Sequence, residues 1–152
     1  METKTSGYYS WSIANWETPL SRAESLRLET LVDSQQLVIT MQDIQEERRP
    51  RFCVTFQKYP AYRNINESYR NTLWKLKPGE IGWTFVVENS DWIRELKADP
   101  VFETQFPAAT HYVICTEDDV IEVISSTPPT ISELPMANLH DPIPGKSDIY
   151  FK

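Results

Sequence analysis

Two β-branched segments joined by a short acidic link constrain the fold of this chain more than any other feature. His111–Thr116 (HYVICT) and Val120–Ser126 (VIEVISS) flank the three acidic residues Glu117, Asp118 and Asp119. β-Branched residues favour strands, and a three-residue link can join two antiparallel neighbours. These segments therefore predict a β-hairpin.

A second hairpin is predicted earlier in the chain. Gln36–Gln42 (QLVITMQ) and Arg51–Gln57 (RFCVTFQ) both alternate between apolar and polar residues, which is the pattern of strands with one buried face. Pro50 stands at a strand entrance, where its missing N–H does not interrupt a ladder. Further strands are predicted at Gly7–Trp16, Leu26–Leu31 and Ile81–Glu88. Ile81–Glu88 has apolar residues on both faces, which predicts a strand inside the sheet.

Helical spacing appears after Pro60. Four apolar residues follow one another at intervals of four, four and three positions, namely Ile65, Tyr69, Leu73 and Leu76. This spacing places side chains on one face of a helix. We therefore expect a helix over about residues 64–77 that packs this stripe on the sheet and ends at Pro78-Gly79.

A shorter helix is predicted over about residues 91–98. Ser90 or Asn89 can cap its start, and Pro100 ends it. Its apolar residues Trp92, Ile93 and Leu96 would face the interior.

Together these elements predict the α+β class, with a mainly antiparallel sheet and the two helices packed on it. We expect a single domain over residues 1–126. Five of the 11 prolines lie between Pro128 and Pro144, so residues 127–152 are expected to form an extended proline-rich tail, packed on the domain or on a partner.

The charge of the chain narrows the classes of partner. The net charge is −7 and the isoelectric point is about 4.8. Nucleic acid and anionic membranes are bound by clustered positive charge, so we expect neither as a partner. A protein partner would be favoured, above all a cationic one through electrostatic attraction, and a homodimer is the alternative.

The expected location is the cytoplasm. The N-terminal residues lack an apolar targeting segment, and no apolar stretch approaches the ~18 residues of a membrane span. Cys53 and Cys115 are isolated within apolar runs, and buried reduced thiols are the default interpretation.

Catalytic, metal and cofactor sites are not predicted. The chain has two histidines, two cysteines and four glycines, and their spacing builds no metal site, nucleophile motif or phosphate loop. His111 and Cys115 would share a strand face, but they supply too few ligands for zinc. We therefore expect an interior that does not arrange reactive groups around a hollow.

One segment has the composition of a recognition surface. Aromatic and charged residues lie along the predicted helix of residues 64–77 and just before it, namely Tyr59, Tyr62, Arg63, Glu67, Arg70 and Trp74. Tyr, Trp and Arg dominate binding hot spots because they bury a large area and make directional contacts. The alternative is that the aromatic rings pack on the sheet while the charges pair locally.

Three functional hypotheses follow. The first is a non-catalytic protein-binding domain. Its narrower form is an immunity-type protein of bacteria that neutralises a toxin by covering its active site. The second is a small enzyme or ligand-binding domain, with a pocket between sheet and helices lined by Trp83, Trp92, His111 and Tyr112. The third is a self-associating structural subunit.

Overall fold

Two antiparallel sheets form the framework of the computed structural model, which describes residues 11–70, 73 and 82–135. The strands in this part of the chain are β1 (Ser12–Asn15), β2 (Leu26–Ser34), β3 (Gln36–Asp43), β4 (Arg51–Phe56), β5 (Ala61–Asn66), β6 (Thr84–Glu88), β7 (Thr110–Cys115), β8 (Asp119–Ser125) and β9 (Thr130–Glu133). The first sheet has the order β1-β6-β7-β8-β5, and the second has the order β2-β3-β4-β9. All the pairs are antiparallel.

The short helices of the described residues follow β6. Helix α1 (Asp91–Leu96) begins after Ser90, whose side chain accepts a hydrogen bond from Ile93 N. Helix α2 (Pro100–Gln105) begins after Asp99, which caps it in the same way. Two single 3₁₀ turns are formed by Pro19–Arg22 and Glu67–Tyr69.

The main hydrophobic core lies between the two sheets. Its buried side chains are Leu20, Leu26, Leu37, Ile39, Met41, Phe52, Val54, Phe56, Tyr112, Ile114, Ile121 and Val123. Period-2 alternation explains this membership, because every second residue of β3, β4, β7 and β8 points to the same side.

The five-stranded sheet is buried on its outer face as well. A second cluster there contains Ile13, Leu73, Phe85, Val87, Val113, Cys115 and Val120. β7 and β8 therefore supply apolar residues to both faces, which explains why their sequences are apolar almost throughout. The same outer face receives the side chains of His111 and Glu122, and it carries the candidate site.

The predicted fold class is confirmed, as are both predicted hairpins and the Ser90 cap. The strand at Thr84–Glu88 lies inside its sheet, as the apolar residues on its two faces predicted. The strands divide between two sheets rather than forming one. The first part of the proline-rich segment forms β9, which pairs with β4.

The predicted helix over about residues 64–77 is wrong in its first half. Ala61–Asn66 form β5 instead, and six of its residues pair with β8. Tyr69, which was assigned to the buried stripe, is 80% exposed. The ladder with β8 outweighs the local helical spacing. Leu73 is helical and fully buried, whereas residues 71–72 and 74–81 lie outside the described part of the chain.

Candidate functional site

Glu122 is the centre of the candidate site. Its side chain lies on the outer face of the five-stranded sheet and is fully buried. A buried carboxylate is strongly destabilising unless charge and hydrogen bonds compensate it. The surrounding residues therefore have to supply that compensation.

Two arginines and a histidine supply it. Arg63 Nη2 donates to Glu122 Oε1 at 3.1 Å, and Arg70 donates through Nε to Oε2 at 2.9 Å and through Nη2 to Oε1 at 3.1 Å. His111 Nε2 lies 2.8 Å from Glu122 Oε1. We call these four residues the Glu122 cluster.

The backbone explains how the cluster assembles. Arg63 on β5 and Glu122 on β8 are direct cross-strand partners, and His111 lies on β7, the other neighbour of β8. Arg70 follows the 3₁₀ turn that ends β5, so its side chain reaches the same carboxylate from one turn further along the chain.

The pKa of Glu122 and the pKa of His111 are both lowered, for different reasons. Burial alone would raise the pKa of Glu122, but the hydrogen bonds from His111 and Arg63 and the charges of the two arginines lower it to about 2. Burial lowers the pKa of His111 and outweighs its hydrogen bond to Glu122, which raises it. At neutral pH, Glu122 is therefore a carboxylate and His111 is neutral.

These states fix the direction of the next hydrogen bond. A carboxylate can only accept, so His111 Nε2 carries the proton and Nδ1 is an acceptor. Ser90 Oγ lies 2.8 Å from His111 Nδ1 and donates to it. The cap of helix α1 is thus connected through His111 to the buried carboxylate.

A small open cleft of ≈ 80 Å³ lies beside the cluster. Its apolar walls are Trp11, Val87 and Trp92, and its polar lining includes Arg63 and Arg70. A drug-sized ligand needs about 300 Å³ or more, so the cleft suits a single small chemical group.

Arg63 and Trp92 form a stacked pair at this cleft. The guanidinium carbon of Arg63 lies 4.1 Å from the centroid of the Trp92 ring, within the range of a cation–π interaction. Trp92 also contacts the His111 ring edge-on, with centroids 5.4 Å apart. Helix α1 therefore holds the Trp92 ring against two members of the cluster, Arg63 and His111.

The six predicted recognition residues separate in the structure. Arg63 and Arg70 meet at Glu122, and Glu67 lies in the 3₁₀ turn between them. The rings of Tyr59 and Tyr62 contact each other and pack against the core between the sheets, on the opposite side of the sheet from the cleft. Trp74 lies outside the described residues.

The four predicted pocket residues also separate. Trp92 and His111 line the cleft. Tyr112 points into the core between the sheets, where its ring lies 4.8 Å from that of Trp16. Trp83 donates its indole N–H to Ala23 O at 2.8 Å and packs against both hydrophobic clusters.

Glu122 and Ser90 were not predicted as site residues. The expectation that the interior would not arrange reactive groups around a hollow is wrong. Ser90 is hydrogen-bonded to His111, and His111 to Glu122, beside the cleft. A usable signal was present in the sequence. Within the five-residue run Val120–Ile124, Glu122 is the one charged residue and the other four residues are apolar.

Neither cysteine is among the residues that line the cleft. Cys53 lies on the outer face of the four-stranded sheet and Cys115 in the cluster outside the five-stranded sheet, and neither forms a disulfide. Within residues 11–70, 73 and 82–135, no group of three or more His, Cys, Asp or Glu side chains could hold a metal ion. In the same part of the chain, no helix combines the length and the apolar character needed to cross a membrane.

No protein-family model, curated protein sequence or solved structure matches this chain.

We predict that stability depends on the members of the Glu122 cluster in a definite order. Glu122→Gln leaves two arginines without their counter-charge and should cost about 3–5 kcal/mol. Arg70→Gln should cost more than Arg63→Gln, about 2–3 against about 1 kcal/mol, because Arg70 makes two hydrogen bonds and its side chain is 14% exposed against 37%. Urea unfolding measures these differences.

Arg48→Gln is the matched control, since Arg48 pairs with Glu46 on the surface with 61% of its side chain exposed. It should leave stability unchanged. Equal effects of Arg48→Gln and Arg70→Gln would contradict the structural role of the cluster.

We further predict that acid destabilises the fold in two steps. His111 and Glu122 both have a lower pKa in the folded chain, so the unfolded chain binds more protons as the pH falls. The contribution of His111 should be lost below its ordinary pKa of 6.5. That of Glu122, on the order of 3 kcal/mol, should be lost between 4.5 and about 2.

Urea unfolding between pH 7.5 and pH 4 measures the first step. His111→Gln keeps an amide donor for Glu122 but cannot titrate, so its stability should fall less steeply between about pH 6.5 and 5. If the free energy of unfolding of the unchanged chain and that of His111→Gln fell in parallel with pH, the predicted contribution of His111 would be contradicted.

Proposed function

We propose that this protein is a non-catalytic recognition domain that binds a protein partner at the surface around the cleft. The observation that carries the proposal is the half-buried Arg63–Trp92 pair at the cleft, together with the exposed ring of Tyr69 in the segment that follows β5. Arg, Trp and Tyr are the residue types that dominate interface hot spots. Tyr69 directly precedes Arg70, a member of the Glu122 cluster.

The bonding of the buried groups supports a binding role over a catalytic one. Glu122 has both carboxylate oxygens occupied by arginines, and His111 uses both ring nitrogens. Ser90 Oγ accepts from Ile93 N while it donates to His111, so it holds the start of α1. Groups fixed in this way hold a surface in shape, which is what a recognition site requires.

Net charge bears on the kind of partner. At −7, the chain as a whole attracts a cationic protein over long range, and this field would raise the association rate at low salt. The narrower form of the proposal is an immunity-type protein whose partner is a toxin, acting in the cytoplasm. A toxin gene beside the gene for this chain would support that form.

We predict that Tyr69→Ala weakens partner binding about tenfold or more without changing stability, because an 80% exposed ring contributes little to the fold. The partner is captured from cells of the source organism with the tagged chain, purified, and measured by biolayer interferometry. Its association rate should fall as salt rises.

Val101→Ala is the matched control, since Val101 is an apolar residue on α2 that is 62% exposed. It should bind within about twofold of the unchanged chain. The proposal fails if no partner is captured at 1:1 stoichiometry, or if both variants bind alike. Sizing chromatography of the chain alone distinguishes self-association, the third hypothesis.

A second candidate function is supported by the bonded series Ser90–His111–Glu122. A serine that donates to a neutral histidine, itself oriented by a carboxylate, is the arrangement of a serine nucleophile. In such a hydrolase, Ser90 Oγ would attack an acyl carbon while His111 Nδ1 takes its proton and the carbonyl π bond opens to an oxyanion. Collapse of that intermediate would break the bond to the leaving group, which takes the proton back from His111. Two features oppose this function: Ser90 is 7% exposed, and the Glu122 charge is already balanced by arginines.

A fluorophosphonate probe distinguishes the two functions, since it labels activated serines. We predict that the probe labels the unchanged chain no more than it labels Ser90→Ala. The Ser90→Ala variant should also lose about 1 kcal/mol of stability, because the cap of helix α1 is missing. Labelling that disappears in Ser90→Ala would contradict the non-catalytic proposal.

A further inference from the structure

The Glu122 cluster contains more positive than negative charge. Arg63 and Arg70 share one carboxylate, and His111 is neutral, so one positive charge is not balanced within the cluster. Asp91 also lines the cleft, but Arg94 forms an ion pair with it, and these two charges cancel. A chain with a net charge of −7 thus carries a locally cationic cleft.

The same arginines have donors to spare. Arg63 Nη1 and Arg70 Nη1 take part in none of the hydrogen bonds formed among residues 11–70, 73 and 82–135. Arg63 Nε is buried and has no hydrogen-bond partner among the described residues. A buried donor without an acceptor is rare in native proteins, and Arg63, with one hydrogen bond to Glu122 against two from Arg70, is the less completely bonded arginine.

The shape of the cleft limits that group. Its volume of ≈ 80 Å³ admits a small planar anion, and its open side leaves room for whatever carries the anion. Guanidinium donors match a carboxylate in plane, and the Trp92 ring already holds Arg63 in place. A surplus of one charge suits a monovalent anion better than a doubly charged phosphate, because the second charge would be desolvated without compensation.

We propose that the cleft between Trp92 and the Arg63–Arg70 pair is a carboxylate-binding subsite that receives an acidic side chain of the protein partner. The origin of the carboxylate rests on the proposed function, whereas the preference for carboxylate rests on the cleft alone. Arg63 is the residue that contacts the ligand, and Arg70 holds Glu122 so that Arg63 keeps a donor free.

The test is an NMR titration of the ¹⁵N-labelled chain at pH 7, in which sodium chloride keeps the ionic strength constant. The probes are sodium acetate, sodium phosphate, and the blocked peptides Ac-Gly-Glu-Gly-NH₂ and Ac-Gly-Gln-Gly-NH₂. We expect saturable shifts at Trp92 and Arg63 with acetate and a tighter response to the glutamate peptide. The glutamine peptide and phosphate should bind about tenfold more weakly than the glutamate peptide.

Arg63→Gln should weaken the binding of acetate and of the glutamate peptide about tenfold. The backbone amide spectrum of this variant should remain that of a folded protein, because Arg70 and His111 still form hydrogen bonds with Glu122. Arg27→Gln is the control: Arg27 is an exposed arginine on β2 of the other sheet, and its loss should change nothing. Arg63→Lys keeps the charge but loses the planar fork, so it should recover only part of the affinity.

Shifts that never saturate, or that are the same in Arg63→Gln and Arg27→Gln, would overturn the subsite. Acetate binding as tightly as the glutamate peptide would overturn the assignment to a partner side chain. Failure to capture a partner in cells with an intact acetate response would reject the proposed function and leave the carboxylate preference standing.

Discussion

The buried carboxylate of Glu122 is the interaction on which this half of the molecule depends. It lies in β8 between buried apolar residues that occupy both faces of the strand, where an uncompensated charge would cost several kcal/mol. Compensation comes from three separate places in the chain: β5 supplies Arg63, the turn after β5 supplies Arg70, and β7 supplies His111. One side chain therefore links β5, β7 and the turn after β5 through hydrogen bonds, in addition to the backbone ladders that position the strands.

That requirement also shapes the outer surface. His111 connects Glu122 to Ser90, and Ser90 caps α1, so the position of Trp92 follows from the carboxylate through a series of hydrogen bonds. Further along the same face, Val113, Cys115 and Val120 pack against Leu73 without any charge. The face is thus apolar at one end and polar at the other, and the cleft opens at the polar end.

Sequence patterns predicted the elements whose partners are adjacent in the chain, and they failed where the partner was distant. The β7–β8 and β3–β4 hairpins follow from alternation and short links. β5 pairs with β8, some 60 residues further on, and no local signal opposes the helical spacing of Ile65, Tyr69 and Leu73. Glu122 was missed for a related reason: a charged residue in a strand ordinarily faces water, and its three donors come together only in the folded chain.

Prior ordering of the arginines also makes the proposed binding of an acidic group compatible with the acidity of the whole chain. At separations near the Debye length of about 8–10 Å, the net charge of the chain governs attraction, and added salt screens it. The Trp92 ring and Glu122 hold Arg63 in one conformation, so the proposed carboxylate ligand would cost little side-chain entropy on binding. The same bonds that stabilise Glu122 would thereby prepare this guanidinium for the proposed ligand, because folding has already fixed the positions of the charges in the cleft.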